Sequence, residues 1–488
     1  MLSTDPYVDW HIHPLTKSRL VDEIESPWSD FCSISVNAEK LYERTMLYTR
    51  SDFQKLFRGN VRAVGLFFVL PERFVFSTLI NSPAVLGRAL NMDIQVLRSI
   101  LITQPFKLMQ DAYERFLKDC KEPGGDREVV VAKNFKHMQE ILKDDKKVAA
   151  MLSLEGSHNL GFEYTSGKFA ETTKYKLKNT RGGDKFEAAE EQTEALIDER
   201  VKWMKDRDFY IFTLNHFVYN HLATQPKAAE LTGYKKIAMN PIRSLDVAGD
   251  YRGLTFLGQY FVEQCMQNRI LLDLKHCDAV SRAQIYKLAA RYKQPVIGSH
   301  IAFSGRPTNV MANGNELLQK REDLVKDRRQ AKRFNPWDIN FHDDDICQIH
   351  ELGGIMGLIL DERVLSSPAA WTEAHQMGNP VKMVYNQIEH AYRVLTRAGF
   401  RPEQAFDSLA IGSDFDGIIE PIRNVLDVTD LRYNPEYHSK GALKLDNGLL
   451  GLIRENYKTF RASKLEPEEI VLKIMRENSM RFLERHFV

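Results

Sequence analysis

His11 and His13 lie two residues apart in Tyr7-Val8-Asp9-Trp10-His11-Ile12-His13-Pro14. Alternate positions of a strand project to one face, so two imidazoles placed this way can grip one metal ion. His276 and His300 can hold a second ion, and Glu155 between the pairs can offer one carboxylate oxygen to each. Two metals about 3.5–4 Å apart lower the pKa of bound water and polarise a carbonyl, which is what hydrolysis of an unactivated amide needs at neutral pH. Each residue alone is equally compatible with a hydrogen-bonded strand end. Five ligand-type residues at successive strand ends are not what packing alone produces.

Gly412-Ser413-Asp414-Phe415-Asp416-Gly417 adds two carboxylates at one strand end. Asp414, nearer the strand, is the candidate general base that passes a proton to a leaving amine, and it is counted with the metal ligands as well. An Asx-turn among glycines accounts for Asp416. His216, in Thr213-Leu214-Asn215-His216, could donate to the oxyanion of a tetrahedral intermediate or could be a turn histidine. Arg306, six residues past His300, could fix a substrate carboxylate with its planar fork or sit exposed in a loop. The catalytic set is thus Asp414, His216 and Glu155, with His216 and Arg306 as substrate contacts. Cys277, beside His276, reads as a small packing residue.

These residues need a scaffold that brings distant strand ends together. Eight short apolar runs bounded by turn residues are present: 7–10, 61–70, 148–154, 209–214, 270–274, 295–297, 355–360 and 409–411. Most are continuously apolar, as expected of parallel strands covered on both faces, and helical patterns such as 257–268 and 385–398 lie between them. The expected architecture is α/β, a (β/α)₈ TIM-type barrel over 1–488, with charged insertions near 15–53, 168–200 and 306–345. An open doubly wound sheet alternates in the same way. It would, however, scatter the polar strand ends along a line, whereas a barrel gathers them at one mouth.

The chain has 488 residues, with 67 Lys+Arg against 66 Asp+Glu, so its formal charge of +1 creates no field for nucleic acid or an anionic membrane. A small neutral or zwitterionic substrate fits better. No basic segment precedes an apolar one at the N-terminus, and no apolar run approaches the ~20 residues needed to cross a bilayer, so a cytoplasmic protein is expected. Cys32, Cys120, Cys265, Cys277 and Cys347 are odd in number and far apart, which suits reduced thiols. A homodimer is compatible with the sequence but not specified by it.

Read together, the segments Asp9-Trp10-His11-Ile12-His13-Pro14, Leu154-Glu155-Gly156-Ser157-His158, Thr213-Leu214-Asn215-His216, Gly253-Leu254-Thr255, Leu272-Asp273-Leu274-Lys275-His276, Pro295-Val296-Ile297-Gly298-Ser299-His300 and Gly412-Ser413-Asp414-Phe415-Asp416-Gly417 resemble the membrane (renal) dipeptidase family of the amidohydrolase superfamily. The resemblance implies two zinc ions per chain, one on His11 and position 13, the other on His276 and His300, bridged by Glu155. It also implies His216 on the substrate and Asp414 on the proton. The implied activity is a zinc-dependent dipeptidase working through a metal-bridging hydroxide. The family's first motif is usually His-x-Asp, so His13 removes a negative charge, and Arg306 only approximates the family's arginine. Arg476-Glu477-Asn478-Ser479-Met480-Arg481 stands where the family tends to have Gly-Gly-Asn. Those departures keep two alternatives open: hydrolysis of a cyclic amide, lactone or ester, and a non-catalytic barrel that binds a ligand.

Overall fold

The computed structural model describes residues 2, 4–20, 24–30, 48–72, 103–162, 176–177, 186–187, 190–217, 220, 222–226, 253–307, 333–335, 337 and 339–488. Eight strands form the frame: β1 (Tyr7–Ile12), β2 (Val61–Phe68), β3 (Lys147–Glu155), β4 (Phe209–Thr213), β5 (Leu271–Asp273), β6 (Val296–Ile301), β7 (Ile355–Leu358) and β8 (Leu409–Ile411). They pair side by side in chain order, every pairing parallel. The ring closes where a parallel bridge joins Ile12 to Phe415, with Asp414 N donating to His11 O at 2.9 Å and His13 N to Phe415 O at 2.9 Å. This is the (β/α)₈ TIM-type barrel, and all eight expected runs are its strands.

Parallel strands must be joined by crossovers, and helices supply them. Glu190–Lys205 follows β3, Phe256–Gln267 follows β4, Ala279–Tyr292 follows β5, Asp343–Glu351 follows β6, Lys382–Arg397 follows β7 and Leu445–Glu455 follows β8. The sheet is therefore buried on both sides, which is why its strands read as unbroken apolar runs. One side carries Val8, Trp10, Ala63, Phe67, Ala149, Met151, Ile211, Leu271, Ile297, Ile355 and Ala410, which meet inside the barrel. The other side packs on the helices.

The period-two alternation of a strand then determines what the mouth contains. Counting upward from Met151, Ile211, Leu271 and Ile297 puts Ser153 and Glu155, Thr213, Asp273 and Ser299 on the inward face. The barrel core is apolar below and polar at the C-terminal rim. The opposite end is closed by the helix Asn478–His486, whose Phe482 meets Trp10 edge-on with ring centroids 5.4 Å apart. Trp10 Nε1 donates to Ser479 Oγ at 2.8 Å, and Asn478 Nδ2 donates to Phe406 O and Leu409 O at 2.7 and 2.8 Å. The Asn-Ser pair of the C-terminal motif therefore ties this helix to β1 and β8.

Three described strands lay outside the expected set: Lys176–Leu177 and Phe186–Glu187, which pair antiparallel with each other, and Glu128–Val131. Glu128–Val131 pairs with the lower half of β3, below the stretch of the same edge that pairs with β4. Its signal is the run Val129-Val130-Val131, which is shorter than the barrel strands. Of the expected insertions, most of 168–200 and 306–345 falls outside the described residues, including the charged run at 320–332. Among the described residues no helix is long and apolar enough to cross a membrane. The four described cysteines are free.

Candidate metal centre

The C-terminal ends of β1, β3, β5, β6 and β8 bring six expected residues into one cluster. His11 Nε2 and His13 Nε2 face each other at 2.9 Å. His13 Nε2 also lies 3.3 Å from Glu155 Oε2 and 3.3 Å from Asp414 Oδ1, and His11 Nε2 lies 3.6 Å from Glu155 Oε2. The other Glu155 oxygen, Oε1, is 3.1 Å from His276 Nε2 and 3.5 Å from His300 Nε2. One carboxylate thus divides its two oxygens between two groups of donors.

This donor set fits a pair of metal ions. Tetrahedral bonds of about 2.0–2.1 Å to nitrogen and oxygen place neighbouring donors roughly 3.3 Å apart, close to the separations seen. All four histidines present Nε2, and two such atoms facing at 2.9 Å need a cation or a proton between them. Behind the donors, Ser299 Oγ lies 2.8 Å from His11 Nδ1 and 2.9 Å from His300 Nδ1, and donates to Asp273 Oδ2 at 2.6 Å. Thr213 Oγ1 donates to the same oxygen at 2.7 Å. Hydrogen bonds of this kind fix ring orientation and tautomer, so one hub orients a ligand of each group. His13 lacks that support, because among the described residues its buried Nδ1 has no partner.

Backbone geometry at the rim is unusual in the same places. His276 and Asp414 both sit in the left-handed region, at φ 64° and 62°, a conformation that costs a non-glycine residue of order 1 kcal/mol. The turn at His276 is held by Lys275 N and Ser299 N, which donate to Asp273 Oδ1 at 3.1 and 2.9 Å. Asp9 Oδ1 accepts from His11 N at 3.1 Å and Ser413 N at 2.9 Å, clamping β1 to β8. Asp416, also at positive φ, does more than make a turn. Its carboxylate accepts from Arg50 N, Ser51 N and Ser51 Oγ and pairs with Lys17 Nζ at 2.8 Å, docking residues 50–51 against the rim.

Burial and mutual charge set the protonation states. Burial pulls His13 down, but hydrogen bonding to Asp414 and Glu155 outweighs it and pushes the imidazole up to about 10. Burial raises Glu155, yet the neighbouring imidazoles of His11 and His216 hold it well below the usual carboxylate range. Burial alone dominates at His276, lowered to about 4, and at His300, also lowered. Those two rings are neutral at pH 7, the form that binds metal.

His216 stands beside the cluster, with Nε2 4.0 Å from Glu155 Oε2 and Nδ1 3.6 Å from Glu72 Oε1. His158 stacks on it at 5.8 Å and is held by Leu70 O, 2.8 Å from Nε2, consistent with a packing role. Arg306 lies beyond the end of β6. Its carbonyl accepts from Asp343 N at 2.9 Å and its charge acts on His342. The sequence reading assigned no role to Asp9, Thr213, Asp273, Ser299, Glu72 or Lys275 at the rim. Asp273 and Ser299 could have been found from strand parity, whereas nothing local marks Glu72.

No family model matches the chain. No curated protein matches it either. Solved structures do match over nearly the whole length. One is a dipeptidase described as a metallopeptidase, 14% identical, with 99% of each chain covered and a TM-score of 0.53. A probable dipeptidase from Pseudomonas aeruginosa is 14% identical, with 99% of this chain and 96% of that one covered and a TM-score of 0.51. A metallopeptidase from Rhodobacter sphaeroides, liganded with a phosphinate mimic of the dipeptide L-Ala-D-Ala, is 14% identical, with 99% and 100% covered and a TM-score of 0.50. At this identity the likeness is one of fold.

Proposed function

We propose that the protein is a metal-dependent hydrolase that cleaves the amide bond of small dipeptides, using two zinc ions. The observation that carries this reading is the division of Glu155 between His11, His13 and Asp414 on one side and His276 and His300 on the other. When bound, such ions supply an activated water and polarise the carbonyl. Asp414 Oδ1, at the rim and partly open to solvent, holds the proton and delivers it to the leaving amine. His216 Nε2 faces the cluster while its Nδ1 turns to Glu72, so it donates to the oxyanion as negative charge develops. The charges of Glu155 and Glu72 outweigh burial and raise this imidazole, favouring the donor form. A dipeptide mimic bound to one structural neighbour supports the substrate class.

The direct test is metal analysis of purified protein together with a panel of L,L and L,D dipeptides. Cleavage in the zinc-loaded protein is expected. Two bound ions with no dipeptide cleaved would count decisively against the reading. His13, where the dipeptidase motif usually has an aspartate, favours a second reading: an ester, lactone or cyclic amide without a free carboxylate. Activity confined to such compounds would establish it.

A further inference from the structure

Lys275 is an oddity of the barrel mouth. It is 1% exposed, and among the described residues its Nζ has no hydrogen-bond partner. The other buried lysines do not share this condition. Lys17 pairs with Asp416 at 2.8 Å, Lys55 with Asp30 and Asp52 at 2.6 Å each, and Lys473 with Asp407. A buried ammonium without an acceptor forfeits its hydration for nothing, a cost of several kcal/mol. A site that keeps one is built to receive an acceptor from elsewhere.

Its surroundings identify that acceptor. Lys275 follows Asp273 and precedes the ligand His276, at the C-terminal end of β5. Its ammonium is carried by the rim of the barrel, and among the described residues no carboxylate forms an ion pair with it. The turn that carries it is fixed by Asp273 Oδ1 and by the left-handed backbone of His276. Metal ions on the neighbouring donors would repel this cation, and an anionic group lying beside them would satisfy it.

We propose that Lys275 is the anion-recognition group of the site and receives a carboxylate of the substrate next to the scissile amide. The assignment rests on the hydrolase reading for the identity of the substrate, not for the existence of the anion site. It excludes neutral esters and lactones as good substrates.

Two measurements keep the assignments separable. In the first, zinc-loaded wild type, Lys275→Met and Lys275→Arg are titrated calorimetrically with a phosphinate dipeptide mimic and with its C-terminal carboxamide. Wild type should prefer the carboxylate by about tenfold to a hundredfold, the range of a charge-assisted hydrogen bond. Lys275→Met should lose that preference with little change toward the carboxamide, and Lys275→Arg should keep part of it. In the second, acetate is titrated into metal-free, ¹⁵N-lysine-labelled protein while the Lys275 Nζ resonance is followed, which should shift and saturate. Metal-free Lys275→Met should be at least as thermally stable as wild type, since it removes an unpaired charge. The proposal is overturned if Lys275→Met retains the carboxylate preference, if it weakens both mimics equally, if acetate leaves the resonance unmoved, or if the methionine variant is destabilised. If neither mimic binds wild type while acetate does shift the resonance, the dipeptidase reading fails and the anion site stands.

Discussion

At the residue scale, the two carboxylates of the centre should separate under mutation. Glu155→Gln should lose bound zinc, because an amide cannot serve two cations as a carboxylate does, and metal analysis reads this directly. Asp414→Asn should keep at least the His276–His300 ion while kcat falls about 100- to 10,000-fold; turnover within a few fold of wild type would remove Asp414 from the proton path. His13 gives a pH dependence. In the metal-free protein it holds a proton up to about pH 10, and a metal ligand must be deprotonated. Zinc and proton therefore compete below that pH, so zinc affinity rises as pH rises toward 10, and binding at pH 7 releases a proton. Calorimetry in buffers of different ionisation enthalpy should show that release, and His13→Asn should abolish about one proton of it. The donors themselves were legible in the sequence because side-chain type announces ligand chemistry. Lys275 was in view as a neighbour of His276, but its missing partner is a property of three dimensions only.

At the element scale, the strands were legible because burial on two faces makes them continuous apolar runs, and their polar ends mark the rim. What the strands do to each other was less so. Asp273 and Ser299 come from different strands, and their adjacency follows only from parallel register and shared parity. Ser299→Ala should weaken metal binding about 10- to 100-fold, since it releases the rings of His11 and His300 together, and competition with a chelating dye would measure this. Unchanged affinity would show that the rings are held by packing. Gly412 is needed for a different reason: a Cβ there would stand 1.7 Å from Ser299 O, so β8 could not lie as close to β6. Gly412→Ala should cost about 1–3 kcal/mol in denaturant unfolding.

At the scale of the whole molecule, the barrel is a ring whose last strand must find its first, and that join is sparsely bonded. It relies on the Ile12–Phe415 bridge, the Asp9 clamp and, at the far end, the C-terminal helix. Asn478 satisfies two main-chain carbonyls beside β8, so Asn478→Ala should destabilise the metal-free protein by about 2 kcal/mol although it is far from the chemistry. A midpoint within error of wild type would show water replacing it. The sequence departs from the family's usual glycines just before this residue, yet Asn478 keeps a structural task. The barrel itself was legible from the count and spacing of apolar runs; the charged insertions were marked by composition alone, and most of 168–200 and 306–345 lies outside the described residues.

Asp273 and Ser299 brace His11 and His300, one ring from each half of the cluster, through a single hydroxyl and a single carboxylate. Filling either half freezes the brace that the other half needs, so the entropy of ordering is met once for both. Metal uptake should then be cooperative: partially loaded chains should be scarce, and stripping with a chelator should proceed from full to empty in one transition.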